Sequence, residues 1–174
     1  ILSACRNQAY SMPKTQVIKA LKNEWGENFE KQFSIFQFVP VAAASIGQVH
    51  KVKLKETNET LAVKIQYPGV KESIENDIDN LGLILKSTKL LPASIDIENL
   101  LAIASRQLHR EACYKTELKF LDKFYNYFKN DEILEVPKPN FKYSTDNIIC
   151  MEFKNGVTIE KVASRPQKEK EFIF

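Results

Sequence analysis

The sequence predicts an α+β fold, in which helices pack on an antiparallel sheet of about five strands. Two hydrophobic patterns lead to this prediction: apolar residues at alternate positions are typical of strands, and apolar residues three and four positions apart are typical of helices. The chain has 174 residues, which is enough to bury a core. Its content of 44% hydrophobic and 27% charged residues is that of a folded globular domain, and no apolar run reaches the ~18–20 residues of a membrane span.

The charge balance and the cysteines argue against several kinds of function. The 25 basic and 22 acidic residues are intermixed and give a net charge of +3, which is too little to indicate a nucleic-acid partner. Cys5, Cys113 and Cys150 are odd in number and share no metal-ligand or redox spacing, so we expect packed thiols in a reducing compartment. His50 and His109 are far apart in sequence and do not by themselves build a histidine-rich metal site.

The N-terminal part is predicted to be helical. Apolar residues recur at helical spacing over Lys14–Trp25, and Gly26 follows as a stop signal. Phe29 and Phe33 indicate one more short helical segment. We therefore expect residues 1–33 to form a helical extension ahead of the sheet.

A loop of small residues, Ala42–Gly47, lies between the first two predicted strands. Phe36 and Phe38 alternate with polar neighbours in the strand before it, and Val52 and Leu54 alternate with lysines in the strand after it. Such a loop lets a backbone come close to something bulky and negative, which suggests a phosphate site.

The third strand, Leu61–Gln66, carries a lysine on the face opposite its aliphatic residues. Because side chains alternate along a strand, Ala62 and Lys64 share that second face. Shorter strands are expected later in the chain, at Ile133–Val136, Phe141–Tyr143 and Ile148–Phe153.

Two long helices are predicted between the third strand and these later ones. The first covers Val70–Leu91 and is ended by Pro92. The second starts at Asp96, a good N-cap residue, and reaches about Asn130. Its apolar stripe consists of Ile97, Leu101, Ala104, Leu108, Leu118, Leu121, Tyr125 and Phe128.

Glu111 occupies the position that continues this stripe after Leu108. A carboxylate on a core-facing stripe is unfavourable unless a cation meets it. Lys64, isolated among aliphatic residues, is the natural partner. The alternative is a stripe that is partly exposed at Glu111.

The order of these elements resembles the N-terminal lobe of a protein kinase, in which a strand lysine holds the ATP phosphates and a helix glutamate holds the lysine. The loop here is rich in alanine and not in glycine. The segment AAASIGQVH, followed by LAVKIQYPGV, closely resembles the UbiB/ADCK family of atypical kinases, the aarF-domain-containing proteins linked to coenzyme Q. The resemblance implies a kinase-like lobe over residues 34–157, with a helical insertion at about 70–95 before the glutamate-bearing helix.

This resemblance also implies a site for ATP with Mg²⁺. The residues it assigns to ATP are Ala42, Ala43, Ala44, Ser45, Ile46, Gly47, Gln48, Val49, Ala62, Lys64, Met151, Glu152 and Phe153. It makes Glu111 the glutamate that orients Lys64, and Glu117 a second family glutamate that meets the N-terminal extension in relatives. Simple pairing of Glu117 with lysines on the helix surface is an equally good interpretation. Cys113 stands where the family usually has aspartate, so a secondary polar contact of that aspartate is not expected here.

The remaining expectations also come from the resemblance. No segment after Gly156 resembles a catalytic loop or a metal-binding D-F-G segment, so we expect the catalytic residues and the metal ligands in a second lobe, to which residues 158–174 begin the connection. The parent protein is expected to be a mitochondrial ATP-dependent kinase or ATPase that supports ubiquinone biosynthesis, with a membrane or a coenzyme Q biosynthetic complex as a further partner. A pseudokinase that binds a nucleotide or a partner without turnover, and a conventional protein kinase, are the alternatives.

Overall fold

The computed structural model describes residues 11–88, 92 and 95–157. Its helices are α1 (Lys14–Trp25), α2 (Val70–Thr88), α3 (Ile97–Glu111) and α4 (Tyr114–Phe128), with a short 3₁₀ helix at Phe29–Gln32. Its strands are β1 (Phe33–Phe36), β2 (Ala42–Ala44), β3 (Gly47–Leu54), β4 (Thr60–Gln66) and β5 (Ile148–Glu152). The last turn predicted for α2, at 89–91, and residues 158–174, predicted to begin the connection to a second lobe, lie outside the described residues.

The strands form one antiparallel sheet in the order β1-β3-β4-β5, with β2 paired to β3. The prediction of an α+β fold with an antiparallel sheet of about five strands is therefore confirmed. The segments that form the strands differ in part from the predicted ones. Part of the alanine-rich segment is itself a strand, and neither 133–136 nor 141–143 is one.

The two missing strands have a physical explanation. The amides of Ile133 and Leu134 donate to the Asp131 carboxylate at 2.9 and 2.8 Å and so form a turn. Pro137 and Pro139 lack the N–H that a ladder requires. Scattered bonds, such as that from Glu152 N–H to the Lys138 carbonyl at 2.8 Å, and an isolated bridge between Pro139 and Met151 join this stretch to β5 without forming a ladder.

The two faces of the sheet are covered by different helices. On one face, Val17 and Leu21 of α1 and Phe29 pack with the aliphatic residues of β4 into the main core, and all three are fully buried. On the other face, Tyr114 and Leu118 of α4 pack against β5. The N-terminal helix thus shares one core with the sheet, and the Lys64 face of β4 is the face that α4 covers.

The predicted long helix is broken into α3 and α4, and this is the main correction to the fold. Ala112 and Cys113 separate the two helices, and Cys113 has an extended backbone with φ −92° and ψ 90°. The Ala112 carbonyl is captured by the buried Gln66 amide at 2.9 Å. The supposed core stripe is also not a core in α3, which has no buried residue and leaves Leu108 39% exposed.

The inserted helices α2 and α3 pack closely on each other. A β-carbon added at Gly82 would lie 2.9 Å from a methyl carbon of Leu101, so the glycine permits the close approach. Within the described residues, no helix is both long enough and apolar enough to cross a bilayer.

Candidate functional site

Lys64 lies in the middle of β4 and is held by Glu117 of α4. Its Nζ donates to both carboxylate oxygens of Glu117, at 2.8 and 2.9 Å. The lysine side chain is 19% exposed and that of the glutamate 40%. The pair therefore lies at the edge of the core, where one side of the lysine ammonium group is still open to solvent.

The prediction that Glu111 is the partner of Lys64 is wrong. Glu111 is exposed at the end of α3, where it accepts a hydrogen bond from the amide of Gln107 at 3.1 Å. The break after Glu111 restarts the helix at Tyr114 and brings Glu117 to the lysine. Cys113 stands where the family usually has aspartate, which is a preferred N-cap residue. That correspondence could have indicated that a new helix starts there.

The ring of Tyr114 packs against the ammonium group of Lys64. The lysine Nζ lies 4.7 Å from the centre of the tyrosine ring, a cation–π distance. The tyrosine is fully buried, and its hydroxyl has no hydrogen-bond partner within the described residues. Burial, with a smaller effect of the Glu117 carboxylate, raises the pKa of Tyr114 well above its usual range, so the ring stays neutral.

The alanine-rich segment is a tight hairpin beside this pair. Ala42 pairs with Val49 and Ala44 with Gly47, so the turn residues are Ser45 and Ile46. A β-carbon at Gly47 would collide with the Ile65 carbonyl and lie 2.8 Å from the Tyr114 hydroxyl. Only glycine permits this approach, so Gly47 holds the end of the hairpin close to Ile65 of β4 and Tyr114 of α4.

Not every predicted nucleotide residue faces the lysine. Val49 stands opposite Lys64 in the β3–β4 register. The side chain of the preceding residue, Gln48, is fully buried and bonds to the N-terminal segment. Gln48 therefore contributes to the hairpin from behind.

The predicted adenine edge lies on the neighbouring strand. Met151 pairs with Ala62, which brings both close to the lysine face of the sheet. Glu152 is held elsewhere, because Lys154 lies 2.7 Å from its carboxylate and lowers its pKa. The ring of Phe153 lies under Lys51, 4.1 Å from its Nζ.

A cleft of about 370 Å³ opens next to the Lys64–Glu117 pair. Ser45 and Ile46 of the hairpin form one wall, and Arg110 and Glu111 lie across from them. The cations and the small hairpin suit a phosphate group. The described residues contain no group of three or more His, Cys, Asp or Glu side chains that could hold a metal ion.

The structure combines an antiparallel sheet, a strand lysine held by a helix glutamate, and a hairpin of small residues beside them. This combination defines the N-terminal lobe of a kinase-like protein. Residues 4–173 match the model of the ABC1 atypical kinase-like domain. The chain belongs to this family, and the resemblance to UbiB/ADCK proteins is confirmed.

Several relatives match over nearly the whole chain. It is 42% identical to the mitochondrial atypical kinase COQ8 of Saccharomyces cerevisiae over 173 residues, which are 99% of this chain and 34% of the relative. It is 38% identical to the mitochondrial atypical kinase COQ8B of Danio rerio, over 97% of this chain and 27% of the relative. Among solved structures, the Rv3197–erythromycin complex from Mycobacterium tuberculosis matches with a TM-score of 0.77 and 26% identity, over 97% of this chain and 42% of that one. The chain thus spans about a third or less of the length of these two curated relatives.

Proposed function

We propose that this chain is the nucleotide-binding part of an ATP-dependent atypical kinase or ATPase. The observation that carries the proposal is the bidentate Lys64–Glu117 pair beside the alanine-rich hairpin. A lysine held in this way by a helix glutamate is the arrangement with which kinase-like proteins contact ATP phosphates.

The number of hydrogen bonds on the lysine supports a role in phosphate binding. An ammonium group has three N–H donors, and Glu117 takes two of those of Lys64. Among the described residues no group accepts from the third donor, so it can bind a phosphate oxygen while the carboxylate keeps the side chain in place. Bound Mg²⁺ would neutralise phosphate charge, with ligands from outside the described residues.

The hairpin and the sheet supply the remaining contacts. The side chains of Ala42–Ala44 end at the β-carbon, so a ligand can approach the backbone closely. Ala62 and Met151, paired across β4 and β5, offer an apolar surface of a kind that an adenine ring prefers.

The roles of the two family glutamates are exchanged relative to the sequence prediction. We propose that Glu117 orients Lys64 and that Glu111, exposed at the cleft, is the glutamate that meets the N-terminal extension. This assignment also explains why no partner from another element holds Glu111 within the described residues.

The names of the relatives support a biological setting. We propose that the parent protein is mitochondrial and supports ubiquinone biosynthesis, with its own second lobe and a membrane or a coenzyme Q biosynthetic complex as partners. Its residues 34–157 would form the kinase-like lobe and residues 158–174 the start of the connection.

A titration with Mg·ATP tests the nucleotide role in the longest natural polypeptide that contains this chain. We expect Lys64→Ala to weaken binding about tenfold or more, because one charged hydrogen bond is lost. Lys55→Ala, at an exposed lysine in the turn between β3 and β4, is the control and should bind normally. Equal affinity of the two variants would remove Lys64 from the site, and release of ADP distinguishes an ATPase from a module that binds without turnover.

A further inference from the structure

A chain of three hydrogen bonds runs through the core behind the alanine-rich hairpin. His50 Nδ1 lies 2.9 Å from the Gln37 carbonyl, and His50 Nε2 lies 2.9 Å from Nε2 of Gln48. The Oε1 atom of Gln48 accepts from the backbone N–H of Met12 at 2.7 Å. Both Gln48 and His50 are fully buried. Each of these polar groups has a partner, and the bonds join strand β3 to Gln37 at one end and to Met12 at the other.

The direction of this chain of bonds is dictated from both ends. A carbonyl only accepts, so His50 must carry its hydrogen on Nδ1 and present a lone pair on Nε2. An amide N–H only donates, so Gln48 must turn its oxygen to Met12 and its NH₂ to the histidine. The two requirements agree only for a neutral imidazole. Burial lowers the pKa of His50 against a smaller opposing effect of the Gln37 carbonyl, and among the described residues no charged side chain contributes to that shift.

Any other arrangement breaks the contact with the N-terminal segment. If His50 were protonated, its second N–H would face the NH₂ of Gln48. If the amide flipped to avoid this, its NH₂ would face the Met12 N–H. Either conflict leaves a buried donor without an acceptor, which is unfavourable.

The N-terminal segment is attached to both flanks of the hairpin. On the outgoing side, Met12 is bonded to Gln48, the residue that follows the hairpin glycine. On the incoming side, the Nζ of Lys14 lies 4.6 Å from the centre of the Phe38 ring. Gln37, next to Phe38, receives the far end of the hydrogen-bond chain. Met12 and Lys14, at the start of helix α1, thus contact both flanks of the hairpin.

The hairpin cannot shift independently of Gln48. Gln48 pairs with Ala43 on one side and Ile65 on the other. Its neighbour Gly47 is pressed against Ile65 and Tyr114 with no room for a β-carbon. The Gln48 side chain therefore extends from the same tightly packed backbone that would cover the phosphates.

We propose that Gln48 and His50 are positioning residues that couple the seating of helix α1 to the position of the alanine-rich hairpin. Whatever moves the polypeptide preceding Met12 then moves the hairpin as well, and nucleotide affinity depends on whether α1 is docked. The consequence for affinity rests on the proposed nucleotide role; the coupling itself does not.

Hydrogen exchange in the longest natural polypeptide that contains this chain tests the coupling without nucleotide. We expect Gln48→Leu to expose the Met12 amide and, together with it, the amides of Ala42–Gly47. Lys14→Met, an exposed change that leaves the core intact, should raise exchange at the same two places to a smaller extent. Lys19→Met, on the same helix but lining a different cavity, is the matched control and should change neither.

Two further measurements complete the test. Labelling of the imidazole nitrogens should show His50 as the neutral Nδ1–H tautomer, and the opposite tautomer would overturn the proposed direction of the chain. Mg·ATP affinity should fall about five- to tenfold in Gln48→Leu, as expected for loss of one net hydrogen bond.

Each outcome of the exchange experiment is decisive. If the Met12 amide opens while Ala42–Gly47 stays protected, the coupling is overturned. Should Gln48→Leu fail to fold, Lys14→Met against Lys19→Met still decides the question, because both changes are on the surface. If the unaltered protein does not bind ATP, the proposed function fails, yet the coupled exchange of the two segments would still support the coupling.

Discussion

Replacing Glu117 by glutamine should separate the roles of the two family glutamates. The variant keeps the size of the side chain but removes the charge that holds Lys64. Glu111→Gln is a matched control, because Glu111 lines the same cleft but bonds only to Gln107 among the described residues. We expect Glu117→Gln to lower both the free energy of unfolding and the affinity for Mg·ATP, and Glu111→Gln to change stability little.

The size of the effect follows from the burial of the pair. A fully exposed ion pair contributes about 0–1 kcal/mol, and breaking a fully buried one costs about 3–5 kcal/mol. Lys64 and Glu117 are 19% and 40% exposed and share two hydrogen bonds of 2.8 and 2.9 Å. This intermediate position, together with solvent screening on the glutamate side, gives about 1–2 kcal/mol, because glutamine can still accept one bond.

Urea denaturation and ATP titration measure the two effects. A loss of about 1.4 kcal/mol corresponds to about a tenfold change in either equilibrium. The reasoning would be refuted if Glu111→Gln destabilised the protein as much as Glu117→Gln, or if Glu117→Gln left both quantities unchanged.

Three other changes follow from the contacts around the hairpin and the helix break. Gly47→Ala should weaken Mg·ATP binding and lower the thermal midpoint, because its β-carbon would collide with the Ile65 carbonyl; an unchanged midpoint would contradict the close approach. Cys113→Asp should stabilise the fold by about 0.5–1 kcal/mol in urea denaturation, because aspartate caps a helix N-terminus far better than a thiol, and a loss of stability would show that the site rejects the carboxylate. Burial lowers the pKa of His50 from its usual 6.5, so below about pH 6.5 the unfolded chain binds a proton that the folded chain does not. The free energy of unfolding should be highest above that pH and should fall as the pH drops, by at most about 1.4 kcal/mol per pH unit. In His50→Asn this dependence on pH should be weaker.

The sequence was sufficient to predict an antiparallel sheet and the place of the lysine in it, but not every strand of that sheet. Strict alternation over Leu61–Gln66 placed Lys64 on the face opposite the aliphatic residues, and the structure has it there because one-residue shifts of a buried strand are forbidden by its hydrophobic face. The small residues of Ala42–Gly47 predict a close approach to a phosphate, and this stays a prediction; the contacts of Gly47 show only that Ile65 and Tyr114 leave no room for a β-carbon there.

The partner of the lysine could not be predicted, because the helix breaks at Ala112 and Cys113, where there is no glycine or proline. The helical spacing of apolar residues does not reveal such a break. The stripe through Leu108 and Leu118 fits one continuous helix as well as two. At the break, Gln66 donates to the Ala112 carbonyl, and a tertiary contact of this kind between distant segments leaves no trace in a local pattern. The bond chain through Gln48 and His50 was missed for the same reason, although two polar residues at alternate positions of a buried strand were a signal.

We expect the contact between Gln66 and Ala112 to determine which glutamate reaches Lys64, and a substitution at Gln66 tests this directly. Gln66→Leu would leave the Ala112 carbonyl buried without a donor, since Ala112 is 1% exposed. An unsatisfied buried group costs about 1–3 kcal/mol, so the urea midpoint should fall. If the bond also fixes the start of α4, Mg·ATP affinity should fall with it, because Glu117 is only four residues beyond Cys113. Gln107→Leu, which removes an exposed bond within α3, is the control. A variant that loses stability but binds ATP normally would mean that Tyr114, seated in its own core, fixes the helix start without help from Gln66.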